Sequence, residues 1–140
     1  MKRHDIIAEA ASWIGTPYHH QASLKGVGAD CLGFVRGVWR ALYGPEPAGV
    51  PAYGQDANDG AEILLEGLRA HLAQGVGDPA PGDLLLFRLR ENWPARHCAL
   101  LIEDSRFVHA VSGRSVATGA FGQWWRRRLV AHFAFPGLED

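Results

Sequence analysis

The stretch Gly26-Val27-Gly28-Ala29-Asp30-Cys31-Leu32-Gly33-Phe34-Val35 constrains this chain most, because it fixes where a helix begins and which side chain opens it. After Asp30, the residues Phe34, Val35, Val38, Trp39 and Leu42 recur at the spacing of one apolar helix face, and Gly44-Pro45 stops the run. A short carboxylate placed just before a helix accepts bonds from the free N–H groups of the first turn. Asp30 is therefore the expected N-cap of a helix running from Cys31 to Tyr43. Cys31 falls in the first turn, where the helix dipole favours the nucleophilic thiolate over the thiol. A free cysteine is more often a small buried hydrophobe, so the helix start alone leaves a catalytic and a structural reading evenly matched.

A cysteine nucleophile needs a histidine to take its proton and a third group to orient that histidine. The second half of the chain carries His97-Cys98-Ala99-Leu100-Leu101-Ile102, a turn at Glu103-Asp104-Ser105-Arg106, then Phe107-Val108-His109-Ala110. Two short apolar flanks around a polar turn predict a hairpin. Histidines on adjacent antiparallel strands can face each other across the ladder. His97 is thus the candidate base and His109 the candidate orienter, although a single strand histidine is usually structural.

Four blocks, in order, resemble the NlpC/P60 family of papain-like cysteine peptidases, which cleave bacterial cell-wall peptides. Trp13-Ile14-Gly15-Thr16-Pro17-Tyr18 resembles the family's opening, and Asp30-Cys31-Leu32-Gly33-Phe34-Val35 its nucleophile motif. Pro81-Gly82-Asp83-Leu84-Leu85-Leu86-Phe87 resembles its central strand, and His97 to Ala110 its histidine hairpin. The resemblance implies an α+β papain-like fold, with N-terminal helices packed on a C-terminal antiparallel sheet and the nucleophile at a helix N-terminus. It implies Cys31 as nucleophile, His97 as base and His109 as third polar residue; no cofactor and no metal are expected. Tyr18 and Asp30 would lie near the pocket for the amino end of the peptidoglycan stem peptide. Leu32 departs from the serine common at that place. Residues 16–28 and the tail Trp124-Trp125-Arg126-Arg127-Arg128-Leu129 more narrowly resemble the phage and gene-transfer-agent branch of tail-associated wall peptidases.

From residue patterns, a first helix is expected from Asp5, as N-cap, to Ile14. A glycine-punctuated loop, Thr16 to Ala29, leads to the Cys31 helix. Gly44 to Gly60 holds four glycines and three prolines and is expected to be a surface loop. A third helix is expected over Ala61 to Gln74, burying Ile63, Leu64, Leu68 and Leu72. Strands are expected at 83–89, 97–103, 106–111, 115–118 and 128–135. Helices first and strands after indicate an α+β arrangement.

The 140 residues suit one domain spanning 1–140, without repeats or linkers. A formal net charge of −1 lacks the basic excess of a nucleic-acid binder. No apolar run approaches the ~20 residues of a membrane span. Met1 to Ala10 lacks the apolar core of a signal peptide. Synthesis in the cytoplasm, with delivery to the wall by a phage-like tail or hub, is therefore the expected route; a leader trimmed from the chain fits equally.

The remaining features have plainer readings. His19 and His20 show no zinc-ligand spacing with His97 and His109. Arg126-Arg127-Arg128 is expected to be a solvated helix end, with binding of anionic polymer or a partner protein as the alternative. Trp124 and Trp125 are expected to be core, with a sugar platform as the alternative. Asp83 is expected to be a turn residue. Successive strand side chains point to opposite faces, so Cys98 is expected to face away from Cys31, and no disulfide is expected. Two other functions remain: a structural tail-hub subunit with masked activity, and an amidase or acyltransferase acting on a non-wall substrate.

Overall fold

In the computed structural model, which describes residues 1–47 and 62–139, helix α1 spans Arg3–Ser12. Its N-cap is Lys2, so Asp5 lies one turn inside the helix and is not the cap that the sequence suggested. The Asp5 carboxylate instead accepts the Lys2 backbone N–H at 2.9 Å, placing an acid at the positive helix end. The expected loop over 16–29 contains a small antiparallel hairpin, β1 (Ser23–Leu24) and β2 (Gly28–Ala29). Helix α2 then runs Cys31–Tyr43 from the Asp30 cap. It ends at Gly44, whose φ of 85° is a left-handed conformation that glycine adopts without steric cost.

Most of the expected loop after Gly44 lies outside the described residues. Helix α3 is Ile63–His71, shorter than expected. Leu72 turns to extended backbone, and Ala73–Gln74 leave the helix to form the edge strand β3, because β8 offers them a partner. Leu65 and Leu68 are the residues α3 buries. Ile63, Leu64 and Leu72 instead line an apolar groove between α2 and α3, beside Leu32, Val35 and Trp39.

The remaining elements are β4 (Leu84–Phe87), β5 (His97–Glu103), β6 (Arg106–His109), β7 (Ala117–Ala120), α4 (Gln123–Arg126) and β8 (Leu129–Ala134). The short helix α4 ends at Arg126, in keeping with the reading of Arg126-Arg127-Arg128 as a helix end, and β7 begins two residues later than expected. The strands form one sheet of order β3-β8-β4-β5-β6-β7, antiparallel throughout. Helices α1 and α2 pack on one face of this sheet, which is the expected α+β architecture.

Alternation along the strands divides the core in two. Leu84, Leu86, Cys98, Leu100, Val108 and Phe133 join Ile6, Trp13, Phe34 and Val38 under the helices. Leu85, Phe87, Ala99, Leu101, Phe107 and Phe121 form a second cluster, covered by Trp125 and Leu129. Phe34, Phe87, Phe107 and Phe133 are wholly buried, each worth about 1.5–3 kcal/mol of transfer free energy. Asp83 ties the helices to the sheet, in keeping with its reading as a turn residue. Its Oδ1 accepts Arg3 Nη1 at 2.8 Å, and its Oδ2 accepts the Ala80 N–H at 2.9 Å and faces His132 Nδ1 at 3.2 Å.

The seam between α1 and α2 depends on a missing side chain. Trp13 packs edge-on against Phe34, with centroids 5.9 Å apart, and its benzo edge lies where a Cβ on Gly37 would be, 2.1 Å away. Glycine to alanine inside a helix ordinarily gains about 0.5–1 kcal/mol, whereas overpacking costs about 1–3 kcal/mol. Because Trp13 is buried and its Nε1 donates to Glu9 Oε2 at 3.0 Å, the clash should win. Gly37→Ala is expected to lower Tm by several degrees in calorimetry; an unchanged or raised Tm would mean that Trp13 moves aside freely.

Candidate active site

Asp30 places the cysteine. Its Oδ1 accepts the Gly33 N–H at 2.7 Å, closing the cap of α2, and its Oδ2 accepts the Gln21 N–H at 2.6 Å. His20 Nδ1 stands 3.7 Å from the same Oδ2. The carboxylate is 2% exposed, so it spends its lone pairs joining the 19–23 turn to the start of α2. Gln21 is held at φ 62°, the sole non-glycine in the left-handed region among the described residues, and the bond to Asp30 supports that conformation. Gly33 lets the two segments touch: a Cβ there would lie 1.8 Å from the Ala22 carbonyl oxygen. Tyr18, half-buried, bridges to Ala29 immediately before Asp30.

Cys31 thus opens α2 over the beginning of β5. Its Sγ lies 3.4 Å from the Arg96 carbonyl oxygen, where a protonated thiol donates. Cys98 meets the same sulfur. The Cys98 thiol hydrogen-bonds Cys31 and is the largest influence holding the Cys31 pKa well below the usual thiol range; burial opposes it, and His97 adds a hydrogen bond and its positive charge. The Cys98 pKa is correspondingly pushed well above that range, by this bond to Cys31 and by burial. Cys98 is buried core, as expected, but it does not face away from Cys31. The alternation argument fails because Cys31 sits over the strand's first residues, within reach of side chains from both faces. Both cysteines are free thiols.

His97 and His109 come together. With Leu101 opposite Phe107 and Leu100 opposite Val108, the two histidines share a face and lie diagonally across the ladder. His97 Nε2 is 2.8 Å from His109 Nδ1, which leaves His97 Nδ1 for the cysteine. The pair occupies the second core cluster, with Phe87 6.2 Å from the His97 ring and Phe107 4.6 Å from that of His109. Burial, and then the charge of His97, lower the His109 pKa from 6.5 to about 4. At neutral pH His109 is therefore uncharged, and in the tautomer protonated at Nε2 its Nδ1 accepts an N–H from His97.

Sequence reasoning missed two participants besides Cys98. Gly119 pairs with Phe107 on β7, and a Cβ there would lie 2.6 Å from the Phe107 ring and 3.2 Å from His109 Nε2. Trp125 packs on both histidine rings, at 5.4 and 5.5 Å. The Trp-Trp pair was the available signal: the two rings meet edge-on at 4.8 Å, but Trp124, expected to be core, is half exposed under the Arg128 guanidinium, 3.6 Å from its ring. Leu32, at the place of the family serine, is 8% exposed and lines the apolar groove. Among the described residues no cluster of three or more His, Cys, Asp or Glu could hold a metal ion, and no helix is long and apolar enough to cross a membrane.

The His109 shift has a consequence for stability. In the unfolded chain His109 takes up its proton near pH 6.5, and in the folded chain only near pH 4. Between those values the unfolded state binds more protons, so stability rises with pH there and falls on acidification. His109→Gln removes this contribution. Thermal melting at neutral pH and near pH 5 is expected to show a smaller acid loss in the variant than in the wild type; equal losses would contradict the buried neutral imidazole.

Comparison with known proteins identifies the family and the fold. The model of the NlpC/P60 family matches residues 15–134. The murein DD-endopeptidase MepS/murein LD-carboxypeptidase of Escherichia coli K12 is 29% identical over 125 residues, covering 88% of this chain and 57% of the relative. The chain thus spans a little over half the length of that relative. The NlpC/p60 domain of the peptidoglycan hydrolase SagA superposes with a TM-score of 0.70 at 23% identity, covering 96% of this chain and all of the other. An NLP/P60 family protein similar to lipoprotein from Staphylococcus aureus Mu50 gives 0.63 at 21% identity, covering 99% and 42%. These structural likenesses bear on the fold. The match of the family model over most of the chain establishes that this protein belongs to the NlpC/P60 family of cysteine peptidases.

Proposed function

We propose that this protein is a cysteine endopeptidase that hydrolyses a peptide bond in the stem peptide of peptidoglycan. The observation that carries the reading is the convergence on Cys31 of a helix N-terminus, the Cys98 thiol and His97, with His109 behind His97 at 2.8 Å. The thiolate attacks the scissile carbonyl, forming a C–S bond and an oxyanion. The Cys31 backbone N–H, in the first turn of α2 and without an intrahelical acceptor, is placed to stabilise that charge. Collapse breaks the C–N bond as His97 Nδ1–H protonates the leaving amine. His97 then takes a proton from water, which attacks the thioester carbonyl and releases Cys31 as thiolate. Throughout, His97 Nε2–H donates to His109 Nδ1, fixing the ring.

The bond proposed is that between γ-D-glutamyl and diaminopimelate, on the resemblance of the four sequence blocks. Tyr18 and Asp30, which flank the 19–23 turn beside Cys31, are the proposed wall of the pocket for the stem's amino end. A second reading, a cross-link bond between D-residues, is supported by the name of the Escherichia coli relative, a murein DD-endopeptidase. Delivery by a phage-like tail is proposed on the resemblance of residues 16–28 and 124–129 to that branch; failure of the protein to co-purify with tail particles of its source would refute that part.

Digestion of purified peptidoglycan, with products identified by mass spectrometry, tests the activity and the bond together. Wild type should release stem-peptide fragments whose masses name the bond, and Cys31→Ala should release none. His97→Ala should lose about 10²–10⁴-fold, and His109→Ala less. No fragments from the wild type would reject the wall-peptidase reading, in favour of a structural tail subunit or an amidase with another substrate.

A further inference from the structure

Residues 123–126 project a tryptophan onto the histidine pair. Trp125 makes ring contacts with His97 (5.4 Å, 32° between planes), His109 (5.5 Å, 86°), Phe87 (4.8 Å) and Phe107 (5.2 Å). The short helix that carries it is latched to the sheet by its neighbour. Arg126 Nε donates to the Phe121 carbonyl at 2.9 Å, its Nη2 donates to the Asp104 carbonyl at 3.0 Å, and its guanidinium lies 4.1 Å from the Phe121 ring. On the far side of His109, Gly119 leaves space for Nε2 that a side chain would fill. The His109 ring therefore sits in a slot walled by Phe107 and Trp125 and floored by Gly119.

We propose that Trp125 is a positioning residue for the Cys31–His97–His109 relay, walling off water from the histidine pair and fixing the ring orientation through which His109 Nδ1 meets His97 Nε2. This inference rests on the reading of Cys31 and His97 as the catalytic pair.

The surroundings of the pair make the effect readable. His109 is faced by His97 from β5, Phe107 from its own strand, Gly119 from β7 and Trp125 from α4. His97 is faced by Phe87 from β4, Trp125 from α4 and Cys31 from α2. Among these described neighbours only Cys31 and the histidines themselves ionise. The protonation of His109 thus depends on burial first and on His97 second, and the Trp125 ring, 5.5 Å from that of His109, covers part of it. A smaller side chain at 125 admits water to both rings. His109 then protonates at higher pH, its Nδ1 no longer accepts from His97, and the relay fails in mild acid.

A tryptophan that only fills the core would change Tm but not the pH at which the relay fails. The test is the rate of Cys31 alkylation by iodoacetamide against pH, together with the imidazole titrations followed by NMR, in full-length wild type, Trp125→Phe and Trp125→Leu. The leucine variant keeps an apolar side chain and avoids the large cavity of an alanine. In wild type His109 should titrate near pH 4, as its burial dictates. In Trp125→Leu the His109 midpoint should move toward 6.5, the value for an unburied imidazole. Its alkylation rate near pH 5.5 should fall about tenfold relative to neutral pH, an effect one pKa unit in size. Trp125→Phe should restore most of the wild-type profile. A folded Trp125→Leu protein with an unchanged profile and unchanged His109 titration would overturn the proposal, as would a wild-type His109 that titrates near 6.5. Neither readout uses a wall substrate, so failure to cleave peptidoglycan with the alkylation profile intact would reject the proposed function while leaving this inference standing.

Discussion

The carboxylate of Asp30 is the contact on which the rest of the site depends. One oxygen closes the first turn of α2 and the other holds the Gln21 N–H, so a single buried side chain sets both where the helix starts and how the preceding turn folds over it. Removing a cap costs about 0.5–2 kcal/mol in helix stability. The larger cost here would be positional, because Cys31 follows the cap directly. A frayed first turn would carry the sulfur away from the Arg96 carbonyl, Cys98 and His97 together. Gly33 belongs to the same arrangement, since the Ala22 carbonyl occupies the space its side chain would need.

The second half of the site is built by the sheet. Strand alternation sends His97 and His109 to the face opposite the helices, among phenylalanines and Trp125, while Cys98 points under α2. Cys31 reaches both because it stands over the beginning of β5 and not over the middle of one face. The result is a nucleophile whose charge is supported from two directions. A neutral thiol donates to it from the core, and an imidazole, kept in orientation by a second, half-buried imidazole, serves as its proton acceptor. The low pKa of His109 makes that second ring an acceptor and not a competing cation.

The parts of this arrangement that depend on local sequence were legible. The Asp30 cap, the extent of α2 and the His97–His109 hairpin follow from residue type and spacing over short windows, and the sheet-after-helices order follows from their sequence. Local reasoning failed where a distant partner decided the outcome. Ala73 and Gln74 carry helical spacing but are drawn into β3 by the open edge of β8. Asp5 looks like a cap, but Lys2 occupies that place because Asp5 accepts its N–H. Trp125 and Gly119 act through contacts with residues on other strands, and nothing in their immediate sequence distinguishes a tryptophan on a histidine pair from one in the core. Cys98 was misplaced by applying strand alternation to a partner that sits at the strand's end.

The chemistry at this site depends on the fold holding Cys31 as a thiolate by way of Cys98 and His97. Ultraviolet absorbance of the thiolate, followed against pH in the native protein with Cys31→Ser as the reference, measures this directly. One thiolate is expected to titrate well below the ordinary cysteine value of about 8.5, absent from Cys31→Ser and shifted upward in Cys98→Ala and in His97→Ala. A thiolate that first appears at or above that ordinary value, or one that survives unchanged in Cys31→Ser, would contradict it.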